Sequence, residues 1–284
     1  MNKIFDRTCD IAWCPGCGDF GLRTIMMEAL EEAGLTQQKV CFVSGIGQAA
    51  KAPQYYDTSY FNGLHGRALP AACGIAIANP GLKVIVESGD GDMYGEGGNH
   101  FLHTIRRNPD ITLVVHDNMV YGLTKGQASP TTRKGMKTPI QTEGVHSEPL
   151  NPIALAITAG ATYVARGSVG ERDLTRKLIV DGLNHKGLAL IDVFQSCVSF
   201  NKLNTHQWFK EHSALISEGH DVSDRLQALA LAFEEEPWRL GLFYRIEGRP
   251  TFEDAQSVYE ESREPLFSRR RDQTVISELM AQKR

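Results

Sequence analysis

A chain of 284 residues, 42% hydrophobic and 23% charged, can bury a sizeable core and lacks the composition of a disordered or fibrous protein. Its net charge of −4 provides no basic surface for nucleic acid. No apolar run nears the roughly 20 residues of a bilayer span, the start has no signal-peptide core, and six cysteines do not make a disulfide framework, so the sequence reads as a cytoplasmic protein with thiol or metal-ligating cysteines.

The chain then alternates helical patterns with short apolar runs. A helix is predicted at 20–33 and a strand at 40–44, then a helix at 68–78 and a strand at 83–87. A helix at 97–107 and a strand at 111–116 follow, then helices at 151–159 and 171–184 and a strand at 188–193. Strands this short and apolar are buried on both faces. Their alternation with helices predicts an α/β fold with a doubly wound, mostly parallel sheet. Residues 121–152 break the pattern with Gly122, Gly126, Pro130, Gly135, Pro139, Gly144, Pro149 and Pro152. A loop this long inside a compact domain is functional or disordered. Beyond about Asp221 the chain is charged and predicted helical, ending in Gln282, Lys283 and Arg284. The chain divides into a ligand-binding domain at 1–205 and a helical extension at 206–284 that serves subunit contact.

The most informative segment is Glu87-Ser88-Gly89-Asp90-Gly91-Asp92, directly after an apolar strand. A second strand ends in His116-Asp117-Asn118. Ligands of parallel sheets sit at carboxyl ends of strands. Asp90 and Asn118 therefore converge on one hard cation such as Mg²⁺, whose shell diphosphate oxygens complete. Gly89 and Gly91 admit phosphate close to the backbone, and a helix starting near Gly97 points its N-terminus at the anion. Alone, Gly-Asp-Gly is equally a turn. With Asn118 at a neighbouring strand end, the pattern resembles the thiamine pyrophosphate motif, which begins Gly-Asp-Gly and ends in Asn.

Four more segments carry a family resemblance. They are Trp13-Cys14-Pro15-Gly16-Cys17-Gly18, Ser44-Gly45-Ile46-Gly47, Leu64-His65-Gly66-Arg67-Ala68 and the run from Tyr121-Gly122-Leu123-Thr124-Lys125-Gly126 to Thr131. In this order they resemble the β subunit of 2-oxoacid:ferredoxin oxidoreductases, over about residues 10–205. The resemblance implies an enzyme that converts a 2-oxoacid and coenzyme A into acyl-CoA and CO₂, passing two electrons to ferredoxin. It implies that Asp90, Asn118 and the Val120 carbonyl hold Mg²⁺. It implies that Gly89, Gly91 and Asp92 border the diphosphate, and that Ile46, Gly47 and His65 line the cofactor pocket. Lys51 and Leu123-Thr124-Lys125 would face the 2-oxoacid, where an ammonium group holds its carboxylate. A lysine or histidine outside such motifs is more often a solvated surface residue or a helix-start residue.

Cys14-x-x-Cys17 fits zinc, a redox disulfide or an iron–sulfur site. The resemblance selects a [4Fe–4S] cluster on Cys14, Cys17 and Cys197, the last just beyond a strand. Thiolates are the normal ligands of such clusters. The family has a fourth cysteine after Ser-Gly-Ile-Gly, and here that residue is Gln48. Gln is a poor iron ligand compared with thiolate; Cys9 and a carboxylate such as Asp10 are the alternative substitutes, a non-cysteine fourth ligand being favoured, while Cys41 and Cys73 read as packed thiols.

Only one thiamine-binding unit fits the length. The pyrimidine-binding domain must come from an α subunit, in an αβ or (αβ)₂ assembly. Ferredoxin must be separate, since no run of closely spaced cysteines is present. A two-subunit form favours 2-oxoglutarate over pyruvate. The competing readings are a thiamine-dependent decarboxylase or synthase without electron transfer, and a non-enzymatic zinc or electron-transfer module.

Overall fold

In the computed structural model, residues 4–270 and 272–283 are described. The first three residues of the chain start, and Arg284 at its basic end, lie outside them. One eight-stranded sheet organises the molecule, in the order β2-β1-β3-β4-β6-β5-β8-β7. The strands are β1 (Val40–Ser44), β2 (Ser59–Asn62), β3 (Lys83–Gly89), β4 (Ile111–Asp117), β5 (Tyr163–Ser168), β6 (Ala189–Phe194), β7 (Ser213–Leu215) and β8 (Trp238–Arg245). From β2 across to β5 every pairing is parallel, and β8 runs antiparallel to β5.

Burial explains the apolar strands. Phe42, Ile85 and Val114 point to a core shared with α1 (Gly18–Glu32) and α5 (Arg172–Asn184). Their neighbours Val43, Val84, Val86 and Leu113 point the other way. There they meet α2 (Ala68–Ala78), α3 (Gly98–Arg107) and α4 (Pro152–Ala159). Successive residues face opposite sides, so a sheet covered twice needs apolar residues at both parities. Local signals set the ends. The Asn151 side chain accepts the Ala154 N–H, Pro152 opens α4, and Gly160 in the left-handed region closes it.

The doubly wound, mostly parallel α/β expectation holds. The helical extension is corrected in part. Residues 206–284 do form α6 (His206–Glu211), α7 (Arg225–Ala232) and α8 (Gln273–Ala281), but also β7 and β8, which extend the sheet. Periodicity also misses β2 and β5. All four residues of β2 are exposed at the sheet edge, so it carries no core pattern. In β5 the charge of Arg166 hides a buried strand, and that charge is matched by Asp192 of β6 at 3.3 Å.

A buried polar chain lies just below the carboxyl edge. His116 of β4 sits between Asp19 of α1 at 2.7 Å and Glu87 of β3 at 2.9 Å. Glu87 also accepts from the Tyr56 hydroxyl at 3.2 Å. Burial opposes a charge on His116, yet the hydrogen bonds and charges of the two carboxylates outweigh it and raise the imidazole to about 9. This ion triad locks the first turn of α1 to the sheet centre. His116→Ala strands two buried carboxylates, and should lower unfolding stability by about 3–5 kcal/mol. Urea titration followed by circular dichroism measures this; a loss below about 1 kcal/mol would show that water replaces the imidazole.

Candidate functional site

Parallel pairing puts the ends of β1, β2, β3, β4 and β6 on one edge. The chain leaves β1 toward β2 on one side, while β3 lies on the other. A crevice therefore opens at the ends of β1 and β3, the usual place for a ligand.

One pocket occupies that crevice. Gly89, Asp90, Gly91 and Asp92 line it after β3, and Asn118 and Val120 after β4. Ile46, Gly47 and His65 line it from beyond β1 and β2, and Leu123 and Thr124 from the long loop. Cys14, Cys17 and Cys197 line the same pocket. Lys51 and Lys125 do not. Lys51 follows Gln48 and Ala49 in a 3₁₀ turn beside the pocket, and Lys125 is an exposed residue with a left-handed backbone, φ 81°.

Asp92 builds much of the wall. Its Oδ1 accepts the Ile46 N–H at 3.0 Å and the Gly66 N–H at 2.8 Å. His65 Nδ1 approaches the same oxygen at 2.7 Å, and the Ser88 hydroxyl donates to Oδ2 at 2.7 Å. The carboxylate expected to border the diphosphate thus organises the loops after β1 and β2. Two glycines permit this. A Cβ on Gly45 would lie 2.1 Å from Asp92, and one on Gly66, at φ +71°, would lie 2.4 Å from the Glu96 backbone.

Asp90 is 2% exposed and, among the described residues, has no ion-pair partner. The Thr131 hydroxyl lies 2.8 Å from Asp90 Oδ2 and 2.8 Å from Asp117 Oδ1. One hydroxyl hydrogen serves one acceptor at a time. Burial, with the Asp192 and Asp90 charges, pushes Asp117 well above the usual carboxylate range. Asp90 rises only to about 6, because burial is offset by hydrogen bonds from Ser129, Thr131 and the Gly91 backbone. Asp90 lines the pocket, and a cation bound there would favour its ionised form.

The loop after β4 turns sharply. Met119 has φ 58°, and Asn118 Oδ1 accepts the Val120 N–H at 3.1 Å. The Tyr121 hydroxyl then donates to the Gly91 carbonyl at 3.0 Å. Burial and nearby Glu96, Asp90 and Asp92 raise that phenol to about 12, so it stays a donor. A Cβ on Gly91 would meet the Tyr121 ring at 2.4 Å. A π-helical turn, Gly91–Glu96, precedes α3, so the helical N-terminus beside Asp90 begins at Gly91 and not near Gly97.

The residues fit a diphosphate and a hard cation. Asp90 supplies an uncompensated buried charge with oxygen donors beside it, and a glycine backbone lies alongside.

The thiols sit at the pocket's other end. Cys14 Sγ accepts from the Ser199 hydroxyl at 3.1 Å, Cys17 Sγ donates to Asp19 Oδ2 at 3.3 Å, and Cys197 Sγ accepts from the Phe200 N–H at 3.4 Å. Burial, then the Asp19 charge, pushes the Cys17 thiol far above its usual range. Thiolates here need a compensating cation. Among the described residues, no three Cys, His, Asp or Glu groups converge tightly enough for a single metal ion. The three cysteines share the lining of one pocket, and thiolates are the normal ligands of a polynuclear iron–sulfur cluster. Cys9 is exposed; Cys41, in β1, and Cys73, near Thr104 of α3, pack as expected away from the pocket.

Sequence reasoning missed Thr131, Tyr121, Asp117 and Asp19 as site residues. Tyr121 and Thr131 lie within the resembling motif. Asp19 follows the cysteine pair, but only the fold reveals its contacts.

The family described as the C-terminal thiamine pyrophosphate-binding domain of thiamine pyrophosphate enzymes matches residues 40–193. The C-terminal part of the pyruvate ferredoxin oxidoreductase β subunit matches residues 197–261. A 2-oxoacid:ferredoxin oxidoreductase β subunit from Saccharolobus solfataricus is 41% identical over 85% of this chain and 84% of its own length. The subunit KorB of a 2-oxoglutarate oxidoreductase from Mycobacterium tuberculosis is 40% identical over 70% of this chain and 54% of its own length. A solved 2-oxoglutarate:ferredoxin oxidoreductase from Magnetococcus marinus, with 2-oxoglutarate, coenzyme A and succinyl-CoA bound, superposes with a TM-score of 0.90 at 35% identity. That match covers 97% of this chain and 94% of the other. The chain belongs to the β subunits of the 2-oxoacid:ferredoxin oxidoreductases, whose thiamine pyrophosphate-binding domain it carries.

Proposed function

We propose that this β subunit works on 2-oxoglutarate, converting it with coenzyme A to succinyl-CoA and CO₂ and passing two electrons through a [4Fe–4S] cluster to ferredoxin. The observation that carries the reading is that the cation-binding residues and the three thiols line one pocket. The relatives named for 2-oxoglutarate support the choice of substrate.

When bound, thiamine pyrophosphate supplies an electron sink for decarboxylation and the cluster supplies one-electron transfer. Asp90, Asn118 and the Val120 carbonyl would hold Mg²⁺. Gly89 and Gly91 would let the diphosphate approach the backbone. Asp92 fixes Ile46 and His65 in the wall through its hydrogen bond to the Ile46 N–H and its contact with His65. Tyr121 closes the loop over Gly91. Cys14, Cys17 and Cys197 would bind iron. Leu123, Thr124, Lys51 and Lys125 would meet the 2-oxoacid, the lysines through its carboxylate, from positions flanking the pocket.

The pocket is half-built. Ile46 is 36% exposed and Leu123 47% exposed at its rim, and Phe61 and Leu64 are exposed on the nearby edge. The α subunit, carrying the pyrimidine-binding domain, would cover this side and exclude water. Residues 206–284 would add subunit contact in an αβ or (αβ)₂ assembly. The test is anaerobic co-purification with the α subunit, followed by a panel of 2-oxoacids assayed with ferredoxin or a viologen dye. A higher kcat/KM for pyruvate than for 2-oxoglutarate would overturn the substrate choice.

Asp90→Ala removes the charge that balances Mg²⁺. Thiamine pyrophosphate content after desalting should fall by orders of magnitude with the fold intact. Wild-type content would remove Asp90 from the cation site. Lys51→Ala and Lys125→Ala should raise KM for the 2-oxoacid or lower kcat with cofactor still bound, by about 2–5 kcal/mol in kcat/KM. Steady-state kinetics decide this, and unchanged constants in both variants would make the lysines surface residues.

A further inference from the structure

The pocket that holds three thiols also holds an unsatisfied oxygen. Gln48 Oε1 is screened from solvent and has no hydrogen-bond partner among the described residues. A buried carbonyl left without a partner is unfavourable, and a ligand in the pocket relieves it. Gln48 lines the pocket with Cys14, Cys17 and Cys197. Its backbone is held in place, because the Trp13 indole N–H, next to Cys14, donates to the Gln48 backbone carbonyl at 2.8 Å. On the opposite side the Gly18 N–H, next to Cys17, donates to the Ser196 carbonyl, next to Cys197, at 3.2 Å. Three chain segments thus bring Cys14, Cys17, Cys197 and Gln48 to the lining of one pocket.

The other donors are engaged or misplaced. Cys9 is exposed and its thiol turns to the Arg7 carbonyl. Cys41 and Cys73 do not line the pocket. Ser199 does, but its hydroxyl is committed to Cys14 Sγ. Gln195 is also buried without partners, yet it packs under Gly18 and does not line the pocket.

We propose that the carboxamide oxygen of Gln48 is the fourth ligand of the cluster, so that three irons sit on thiolates and one on a neutral oxygen. This rests on the cluster reading above. Two consequences follow from exchanging an anionic sulfur for a neutral oxygen. The cluster carries one less negative charge, which raises its reduction potential. Iron on a hard neutral donor is also held less tightly than on thiolate. One-electron oxidation by ferricyanide, itself reduced to ferrocyanide, should release that iron as Fe²⁺ and leave a three-iron cluster.

The experiment uses the anaerobic αβ complex and measures iron and sulfide content, electron paramagnetic resonance after ferricyanide, and the reduction potential. Wild-type protein should hold four irons per β-subunit site and lose one on oxidation, with the signal of an oxidised three-iron cluster. Gln48→Ala removes no hydrogen bond made by Oε1 within the protein, and should weaken retention of that iron on the order of tenfold or more. Gln48→Cys should retain the fourth iron under ferricyanide and lower the potential. Ser199→Ala should retain iron as wild type does, while loss of its hydrogen bond to Cys14 Sγ shifts only the potential. Equal iron retention and equal potential in wild type, Gln48→Ala and Gln48→Cys would overturn the Gln48 assignment while leaving the cluster in place. Selective loss in Ser199→Ala would transfer the role to that hydroxyl. Wild-type protein without iron would overturn the cluster reading itself.

Discussion

The carboxylate of Asp92 sets the geometry on which the pocket depends. It is 3% exposed and receives hydrogen bonds from the backbone of Ile46, the backbone of Gly66 and the hydroxyl of Ser88, with His65 in contact. The loops after β1, β2 and β3 are therefore positioned by one side chain. A buried carboxylate is costly unless its acceptor sites are filled, and here backbone donors fill them. The result is a wall whose shape is decided before any ligand arrives, which is the condition for precise positioning. Gly45 and Gly66 follow from it, since neither approach leaves room for a Cβ.

Charge balance gives the same edge a second constraint. Asp19, Glu87, Asp90, Asp92, Asp117 and Asp192 are all buried there. His116 answers Asp19 and Glu87, and Arg166 answers Asp192. Asp92 and Asp117 are met by hydrogen bonds. Asp90 alone in this set faces the pocket without a cationic partner among the described residues. In the proposed function a divalent ion would satisfy that deficit, and a diphosphate would then balance the ion. The thiol end follows the opposite logic. Burial disfavours a thiolate at Cys17, and a bound metal would supply the compensating charge.

The sequence was legible where one local pattern reports one local role. Gly-Asp-Gly after an apolar strand placed Asp90 at a strand end, and the same argument placed Asn118. The cysteine pair and Cys197 met in one pocket as the motifs implied. What stayed hidden depends on contacts across the fold. Nothing near Thr131 in sequence says that it bridges Asp90 and Asp117, because it reaches them from a loop 41 and 14 residues away. The hydrogen bonds of Asp92 stay hidden for the same reason, since its partners lie on two other loops. β2 and β5 escaped because an exposed edge strand and a strand with a buried arginine both break the apolar pattern. β7 and β8 escaped because charge near the C-terminus resembles a solvated helix. Lys51 and Lys125 were placed by motif alone, and both lie beside the pocket instead of lining it.

The open rim follows from how the fold distributes work. The parallel sheet supplies rigid strand ends, and in the proposed function these would hold the charged half of the cofactor, the diphosphate and its cation. Nothing in this sheet stands opposite them to enclose the reacting half. Ile46 and Leu123 remain partly exposed where an enclosed site would bury them. Water at that rim would weaken every electrostatic contact with a 2-oxoacid carboxylate. If the lysines flanking the pocket meet the 2-oxoacid as proposed, they would gain their full effect only when a second surface dries the rim. This makes subunit association part of the chemistry: the β subunit fixes the charges, and closure by its partner sets the dielectric in which they act.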